Sequence, residues 1–441
     1  MTTQTLRWPG GPLLGVAALP ASKSEANRAL LLQKLAGGGA LSNLSEAHDT
    51  TLMQRLLDQA PTTDALDAED AGTVMRFLTA YLALRDWRGT LTGAPRMRQR
   101  PIAVLVDALR TLGARIDYVK TEGYPPLRFG GVSAAGAIGV MGAASEPAGL
   151  RVRGDISSQY VSALLMLGPT LPGGLRLTLT GAIGSRPYID MTLSLMRHFG
   201  ATAEWGHERR DGSSESDGAA TATVAPGGYR PANYAVESDW SAASYWYALL
   251  ALAPPASALT VPGLRQHSWQ GDAIIQQIMR PLGVATEFLA DGSGARLTRV
   301  APAPFDPAAA PLDFTDCPDL AQTVVVVAAA LGCPLRLTGL ASLRIKETDR
   351  IAALQAELGK FGAGLVAESA GVFVVRPGEF RVENQVVETY DDHRMAMAFA
   401  PLAMLGPLAV GEPGVVRKSY PSFWRALAAV GVFLGQEGRR V

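Results

Sequence analysis

One structural sentence recurs six times along this chain: a short polar phrase opens a run that is apolar on every face. The copies are SKSEANRALLLQKLAGG (22–38), AGTVMRFLTAYLAL (71–84), SSQYVSALLMLG (157–168), SDWSAASYWYALLAL (238–252), PDLAQTVVVVAAALG (318–332) and DDHRMAMAFAPLAML (391–405). A helix apolar all round has no side to offer water, so each run is expected to be buried. Each opens with Ser, Asp, Gly or Thr, the residues that cap helix N-termini. Such an end presents free backbone N–H groups and a partial positive charge. Six of them, several beside Lys, Arg or Gln, point to a site for phosphates and carboxylates.

A second sentence interleaves with the first: an amphipathic helix, a Gly stop, then a strand. It is clear at 101–119, 188–205, 271–289 and 349–368, and weaker at 49–60 and 421–434. Ile102, Leu105, Val106, Leu109 and Leu112 mark one helical face in the first copy, and Ile351, Leu354, Leu358 and Phe361 do so in the fourth. The stops Gly113, Gly200, Gly283 and Gly362 stand where left-handed C-caps are expected. The chain therefore reads as six units, each with a buried helix, an amphipathic helix and several strands. Six units exceed one core in 441 residues, so two three-unit domains are expected. Chance spacing is the competing explanation. It is disfavoured because Gly stops and polar openings alternate in register. Segments 209–231 and 300–314, rich in Gly and in Pro and Ala, are expected to be exposed connections.

Lys plus Arg equals Asp plus Glu at 40 each, which argues against a general nucleic-acid or membrane-surface binder. An anion site must then concentrate its cations locally. Two cysteines, Cys317 and Cys333, make no disulfide framework and fit a reducing cytosol. The N-terminal residues match no signal or transit peptide. Residues 395–410 are the nearest approach to a membrane span, and with Gly406 and Pro407 they read as a buried core helix.

Eight motifs carry candidate chemistry. Lys23 and Arg28 flank a helix start with Ser22 and Ser24, which suits a phosphate or merely caps a helix. In DAGT (70–73), Gly72 permits close backbone approach. Arg100 precedes Pro101 at an expected helix start, where a guanidinium holds a carboxylate or phosphate. Ser157, Ser158 and Gln159, then Ser185 and Tyr188, suit a hydroxylated ligand or plain capping. Asp319 is either an N-cap or a general base. RIKETDR (344–350) is either a solvated ion network or an acid–base pair, Lys346 and Glu347, with Arg350 on an anion. His393 and Arg394 open the last buried helix, and Lys418 precedes the final one.

Taken in order, SKS–ANR, AGT–MR, RP, SSQ, S-x-PYID, PD, KETDR, DHRMAM and RK-x-YP resemble the EPSP synthase (3-phosphoshikimate 1-carboxyvinyltransferase) family, from about Leu19 to Leu427. The resemblance implies an α/β fold of two similar domains, each of three βαβαββ units (an inverse α/β barrel), with the active site in the cleft. The implied first domain is discontinuous, 1–21 with 239–441, and the second is 22–238. The implied reaction gives the enolpyruvyl group of phosphoenolpyruvate to the 5-hydroxyl of shikimate 3-phosphate, without metal or cofactor. It implies that Lys23, Ser24, Arg28, Ser157, Ser158, Gln159, Ser185, Tyr188, Asp319, Ser342 and Lys346 hold shikimate 3-phosphate. Lys23, Gly72, Thr73, Arg100, Gln159, Arg350, Arg394 and Lys418 are implied for phosphoenolpyruvate. The resemblance likewise implies catalytic roles for Asp319, Lys346, Glu347, His393 and Lys23, with Glu347 at the methylene carbon. The expected partners are these two small molecules, for a cytoplasmic monomer with no nucleic acid or membrane partner.

Four residues depart from a common family pattern: Asp70 for Asn, Phe77 for Pro, Gln99 for Glu and Ser342 for Asn. The related transferase acting on UDP-N-acetylglucosamine typically uses a loop cysteine, and residues 1–316 contain none. An RNA 3′-phosphate cyclase-like protein would need an adenylated His and a basic face, neither of which is evident. An inactive anion-binding scaffold sits poorly with the near-complete set of acids, bases and cations.

Sites drawn from both halves imply closure on ligands, with hinges near 20–22 and 235–240. Small-angle scattering is expected to show a smaller radius of gyration with both ligands than without. Identical curves count against closure.

Overall fold

The structure, a computed structural model, describes residues 2–132, 146–155, 157–207, 220–304, 306 and 310–437. The chain divides into two compact units. Unit one is Met1–Ser22, Glu46–His48 and Glu237–Val441, and unit two is Lys23–Ser45 and Asp49–Val236.

The elements follow the two interleaved sentences. The chain opens with β1 (Thr3–Arg7), β2 (Leu14–Val16), α1 (Lys23–Ala36), β3 (Leu41–Ser42) and α2 (His48–Gln59). Five repeats follow. The first is β4 (Ala65–Asp67), α3 (Gly72–Ala83), β5 (Arg88–Thr92), α4 (Ala103–Thr111), β6 (Ala114–Tyr118) and β7 (Leu127–Val132). The next is β8 (Ala148–Arg153), α5 (Ser158–Leu167), β9 (Leu175–Thr180), α6 (Arg186–His198), β10 (Ala203–His207) and β11 (Ala220–Val224). Then come β12 (Tyr234–Ala235), α7 (Trp240–Leu252), β13 (Ala258–Pro262), α8 (Ile275–Met279), β14 (Val284–Phe288) and β15 (Gly294–Arg299). The fourth is β16 (Leu312–Asp313), α9 (Ala321–Ala330), β17 (Arg336–Thr338), α10 (Arg350–Lys360), β18 (Gly364–Ser369) and β19 (Val372–Arg376). The fifth is β20 (Gln385–Val387), α11 (His393–Phe399), β21 (Leu408–Gly411), α12 (Phe423–Ala429) and β22 (Phe433–Glu437).

Four of the five four-stranded sheets among the described residues take their strands in the order first, second, fourth, third, as in β4-β5-β7-β6 and β16-β17-β19-β18; in the fifth, β20-β21-β1-β22, the N-terminal strand holds the third place. The first pair is parallel and joined through a buried helix, and the other pairs are antiparallel. The N-terminus completes two sheets of unit one. β1 lies between β21 and β22, and β2 runs parallel to β13. β12, which precedes α7, pairs instead with β3 in unit two. Among the described residues β3 and β12 form only a two-stranded sheet, so the repeat of α1 and α2 is abbreviated.

The apolar runs are buried as expected, and their exceptions are informative. Every residue of α3 is buried except Thr73, every residue of α5 except Gln159, and every residue of α7 except Ser241. Water therefore reaches these helices only at the second residue, where free N–H groups point outward. In unit one α7, α9 and α11 pack on one another; in unit two α3 packs on α1 and α5. Three of the four stops fall where expected: Gly113, Gly200 and Gly362 directly follow the C-caps of α4, α6 and α10 with φ of +94°, +85° and +80°, whereas Gly283, at φ +96°, lies three residues beyond the α8 C-cap Arg280.

Three expectations change. Side-chain caps occur at α5 (Ser157), α7 (Asp239) and α11 (Asp392), but α3 and the 3-10 turn Pro318–Leu320 before α9 have none. The 271–289 helix is short because Pro281 follows Arg280 and cannot donate to the next turn. Part of 209–231 is no exposed connection: Ala220–Val224 pairs with β9 and β10, with Ala222 and Val224 fully buried. Its alternation of small and β-branched residues was masked by flanking Gly and Ser; 209–219 lie outside the described residues. No helix among the described residues is long and apolar enough to cross a membrane, and 395–410 form α11, a 3-10 turn and the start of β21.

Candidate active site

Unit two gathers its candidates at the starts of α1, α3, α5 and α6. Lys23 Nζ lies 3.1 Å from the buried Asp49 carboxylate, a partner that sequence reasoning missed. Arg28 is 2% exposed. Its Nε donates to Thr192 Oγ1 at 2.7 Å, Nη1 to the Ser24 carbonyl at 2.8 Å and Nη2 to Ser162 Oγ at 3.0 Å. These bonds use three of its five N–H groups. The guanidinium also lies against Phe77 and Tyr188, with centroids at 5.4 and 5.8 Å, so Phe77 supplies a stacking face that Pro lacks. Burial lowers Arg28 to about 10, countered by Tyr188 and Glu25, so it stays cationic at neutral pH.

Gly72 and Arg100 are matched. A Cβ on Gly72 would stand 2.8 Å from Arg100 Nη1 and 3.3 Å from Cζ, so the guanidinium lies against the first turn of α3 where only hydrogen fits. Pro101 does not start a helix, since α4 begins at Ala103. Its carbonyl instead accepts from Arg76 Nη2 at 3.3 Å and from the Tyr160 hydroxyl. Arg76 and Tyr160 thereby brace the turn that carries Arg100. Gln159 Nε2 donates to Thr73 Oγ1 at 3.1 Å, joining the starts of α5 and α3. Ser157 accepts weakly from the Gln159 N–H at 3.4 Å, and Ser158 is buried beside it. Ser185 precedes α6 at φ +55° and its hydroxyl makes no capping bond, so capping does not account for it. Of the departures, Asp70 and Gln99 are exposed.

Unit one gathers the rest around Asp319. Its two oxygens each take a guanidinium: Arg350 Nη1 on Oδ1 and Arg394 Nη2 on Oδ2, both at 2.9 Å. Lys346 Nζ is 3.7 Å from Oδ1. Asp319 is therefore no N-cap. Burial pushes its carboxyl up, but Arg394, Lys346 and Arg350 together hold it well below the usual carboxylate range. Lys346 is pulled up most by Asp319, yet burial, Arg350 and Arg394 outweigh this and leave it below the ordinary amine range. About a quarter of its side chain, 28%, still meets water, so this lowering is modest.

Glu347 bridges two cations, Arg350 Nη2 at 2.9 Å and Lys418 Nζ at 3.6 Å. Arg350 also donates from Nε to Asp392 at 2.6 Å, and Asp392 caps α11 by accepting from the Arg394 N–H at 2.8 Å. Asp392 is thus a support that the DDHR motif contained without announcing. His393 Nδ1 is 3.7 Å from Asp392. Arg394 further meets the Tyr245 hydroxyl on α7 at 3.3 Å. RIKETDR is partly the solvated network that sequence allowed: Arg344 pairs with Asp349 at 3.2 Å, half-exposed, while Asp349 caps α10. Its Lys346, Glu347 and Arg350 face the Asp319 cluster, and Ser342 stands half-buried in the turn Ala341–Ile345 before them. Among the described residues no group of three His, Cys, Asp or Glu side chains could hold a metal ion.

Two clusters of helix-start cations, each in a unit of βαβαββ repeats, define a binder of small multiply charged anions. Comparison with known proteins carries this further. The model of the family described as EPSP synthase (3-phosphoshikimate 1-carboxyvinyltransferase) matches residues 57–427. A protein named 3-phosphoshikimate 1-carboxyvinyltransferase from Bacteroides fragilis (strain YCH46) is 47% identical over 426 residues, 95% of this chain and 96% of that protein. One of the same name from Burkholderia ambifaria is 37% identical over 94% of this chain and 96% of that protein. An EPSP synthase structure from Acinetobacter baumannii superposes with a TM-score of 0.73 at 19% identity, covering 99% of this chain and 100% of that one. The enolpyruvyl transferase NikO from Streptomyces tendae has a similar fold, with a TM-score of 0.66 at 13% identity over 99% of each chain. The chain belongs to the EPSP synthase family.

The Gly72–Arg100 contact generates a prediction. Gly72→Ala is expected to displace the Arg100 guanidinium and raise the KM for phosphoenolpyruvate about tenfold or more, the loss of roughly one charge-assisted hydrogen bond. The fold should be kept, because the intruding atom meets the movable end of a side chain. Initial-rate kinetics check it, and an unchanged KM removes Arg100 from phosphoenolpyruvate binding.

Proposed function

We propose that this chain transfers the enolpyruvyl group of phosphoenolpyruvate to the 5-hydroxyl of shikimate 3-phosphate, giving 5-enolpyruvylshikimate 3-phosphate and phosphate. Family membership supports the reaction. The observation carrying the mechanism is the arrangement of Lys346, Glu347, Arg350 and Arg394 around a permanently ionised Asp319. Both substrates carry a phosphate and a carboxylate, and each cluster offers cations whose present partners include carboxylates, hydroxyls and backbone carbonyls. An incoming oxyanion exchanges with these partners without the cations entering water.

Asp319, held anionic, is suited to accept a hydrogen bond from the 5-hydroxyl and orient its oxygen toward C2 of phosphoenolpyruvate. It is too weak a base in this setting to take the proton alone. Lys346, 3.7 Å away with a lowered affinity for its proton, is the better relay. Glu347 delivers a proton to the C3 methylene and recovers one when phosphate leaves, with Lys418 and Arg350 on its oxygens to favour the ionised form afterwards. His393 stands within the same segment as Arg394 and serves the departing phosphate. Arg100, Arg350, Arg394 and Lys418 hold phosphoenolpyruvate with Lys23, Gln159 and the start of α3 at Gly72 and Thr73. Ser157, Ser158, Ser185, Tyr188, Ser24, Arg28 and Ser342 hold shikimate 3-phosphate. The tetrahedral adduct is stabilised by preorganised cations rather than by a cofactor. Free cysteines suit the reducing cytoplasm, and the enzyme acts there as a monomer.

Phosphate release from phosphoenolpyruvate is expected only when shikimate 3-phosphate is present. Turnover with UDP-N-acetylglucosamine instead would assign a different acceptor, and binding without turnover would make the chain a scaffold. Glu347→Gln is expected to bind both substrates and turn over at least a hundredfold more slowly, the usual scale for a lost general acid–base. Near-normal turnover would remove Glu347 from proton transfer.

A further inference from the structure

Close enough to Arg394 to feel its charge lies a carboxylate to which no role has been given. Asp272 stands in the 3-10 turn Gly271–Ile274 that leads into α8, and it is 3% exposed. One oxygen, Oδ2, accepts a hydrogen bond from Ser241 Oγ at the start of α7. The other, Oδ1, is buried with no hydrogen-bond partner. The residue four positions after Ser241 is Tyr245, one turn along the same face of α7, and its hydroxyl receives Arg394. Asp272 and Arg394 thus address one stripe of one helix, a turn apart. A buried carboxylate with an idle oxygen is costly when ionised and far less so when protonated.

We propose that Asp272 is a positioning residue for the reaction: a buried carboxyl group, one turn of α7 from the Arg394 contact, whose charge governs how strongly Arg394 attracts phosphoenolpyruvate. This rests on the function proposed above. When Asp272 is protonated, Arg394 has Asp319 as its facing carboxylate and turns readily to an incoming anion. When Asp272 ionises, a second negative charge near the guanidinium weakens that attraction. The groups that face Asp272 set where this change falls. Burial pushes its carboxyl up to about 7; Asp319 and Asp239 add to the rise, while Arg394 and the Ser241 hydroxyl oppose it. The buried Cys317 thiol feels the same field and stays protonated, pushed up to about 12 by burial first and then by Asp272 and its acidic neighbours.

The test compares the unaltered enzyme with Asp272→Asn, which keeps an acceptor for Ser241 but cannot ionise. Between pH 6 and 8.5 the KM for phosphoenolpyruvate is expected to rise about three- to tenfold more in the unaltered enzyme, with kcat following the same profile in both. Ionisation of phosphoenolpyruvate itself is common to the two and cancels. A second readout does not need turnover. A carboxyl whose pKa is raised on folding contributes stability that is complete below its unfolded value, near 4, and lost as pH rises through about 7. The urea midpoint of the unaltered chain should therefore fall relative to Asp272→Asn between pH 5 and 8. In an Arg394→Gln background that fall should move to higher pH, because the cation favouring the carboxylate is gone. Ser241→Ala, which also removes a stabilising donor, should move it the same way and serves if Asp272→Asn folds poorly. Parallel KM profiles, or a midpoint fall that ignores Arg394, overturn the proposal. Absence of turnover in the unaltered chain would sink the functional reading instead, leaving the midpoint experiments to decide Asp272.

Discussion

Asp319 holds two guanidinium groups, one on each oxygen, and a lysine close by, and the chemistry of unit one depends on that knot of charge. None of these groups could stay ionised alone at such depth, because removing an unpaired charge from water costs several kcal/mol. Together they are stable as ions. Arg350 is 1% exposed yet carries Asp319, Glu347 and Asp392, which raise its affinity for its proton despite burial. The network is therefore a store of preorganised cations whose partners are exchangeable. In the proposed reaction a substrate oxyanion would replace a carboxylate at a guanidinium, with no reorganisation of solvent needed at the moment of reaction.

The repeats explain how such a store is assembled. A helix buried along its length reaches water only at its ends, and a sheet outside it leaves only the N-terminal turn open. Thr73, Gln159 and Ser241 mark that turn on α3, α5 and α7. The cations come from other helix starts of the same repeats: Arg100 just before α4, Arg350 at the first residue of α10 and Arg394 at the second residue of α11. Close approach is secured by Gly72, where any side chain would meet Arg100. The braces are less conspicuous: Tyr160 and Arg76 on the Pro101 carbonyl, Asp49 on Lys23, and Asp392 serving both Arg350 and the α11 cap.

Much of this was legible before the structure. The buried runs, their order, the glycine stops and the concentration of cations at helix starts follow from apolar periodicity and from the backbone freedom of glycine, both of which are local properties. The braces were not legible, because Tyr160, Thr192 and Asp49 are unremarkable in their own segments and acquire meaning only from neighbours far along the chain. Asp272 is the sharpest case: QGD reads as an ordinary polar turn until α7 is laid beside it. Ala220–Val224 escaped for the opposite reason, its strand pattern being short and surrounded by residues typical of loops.

By itself the sequence determined which segments become buried helices, where they stop, and that their openings carry anion-seeking groups, since helix burial and capping depend on residues within a few positions of one another. Tertiary structure alone decided which carboxylate faces which cation. It turned Asp319 from a possible cap into the centre of an ion network, placed Asp392 under Arg350, and left Asp272 with an idle oxygen. Charge interactions act through space at a few ångströms, between residues as far apart in the chain as Asp319 and Arg394, and no local pattern encodes that distance.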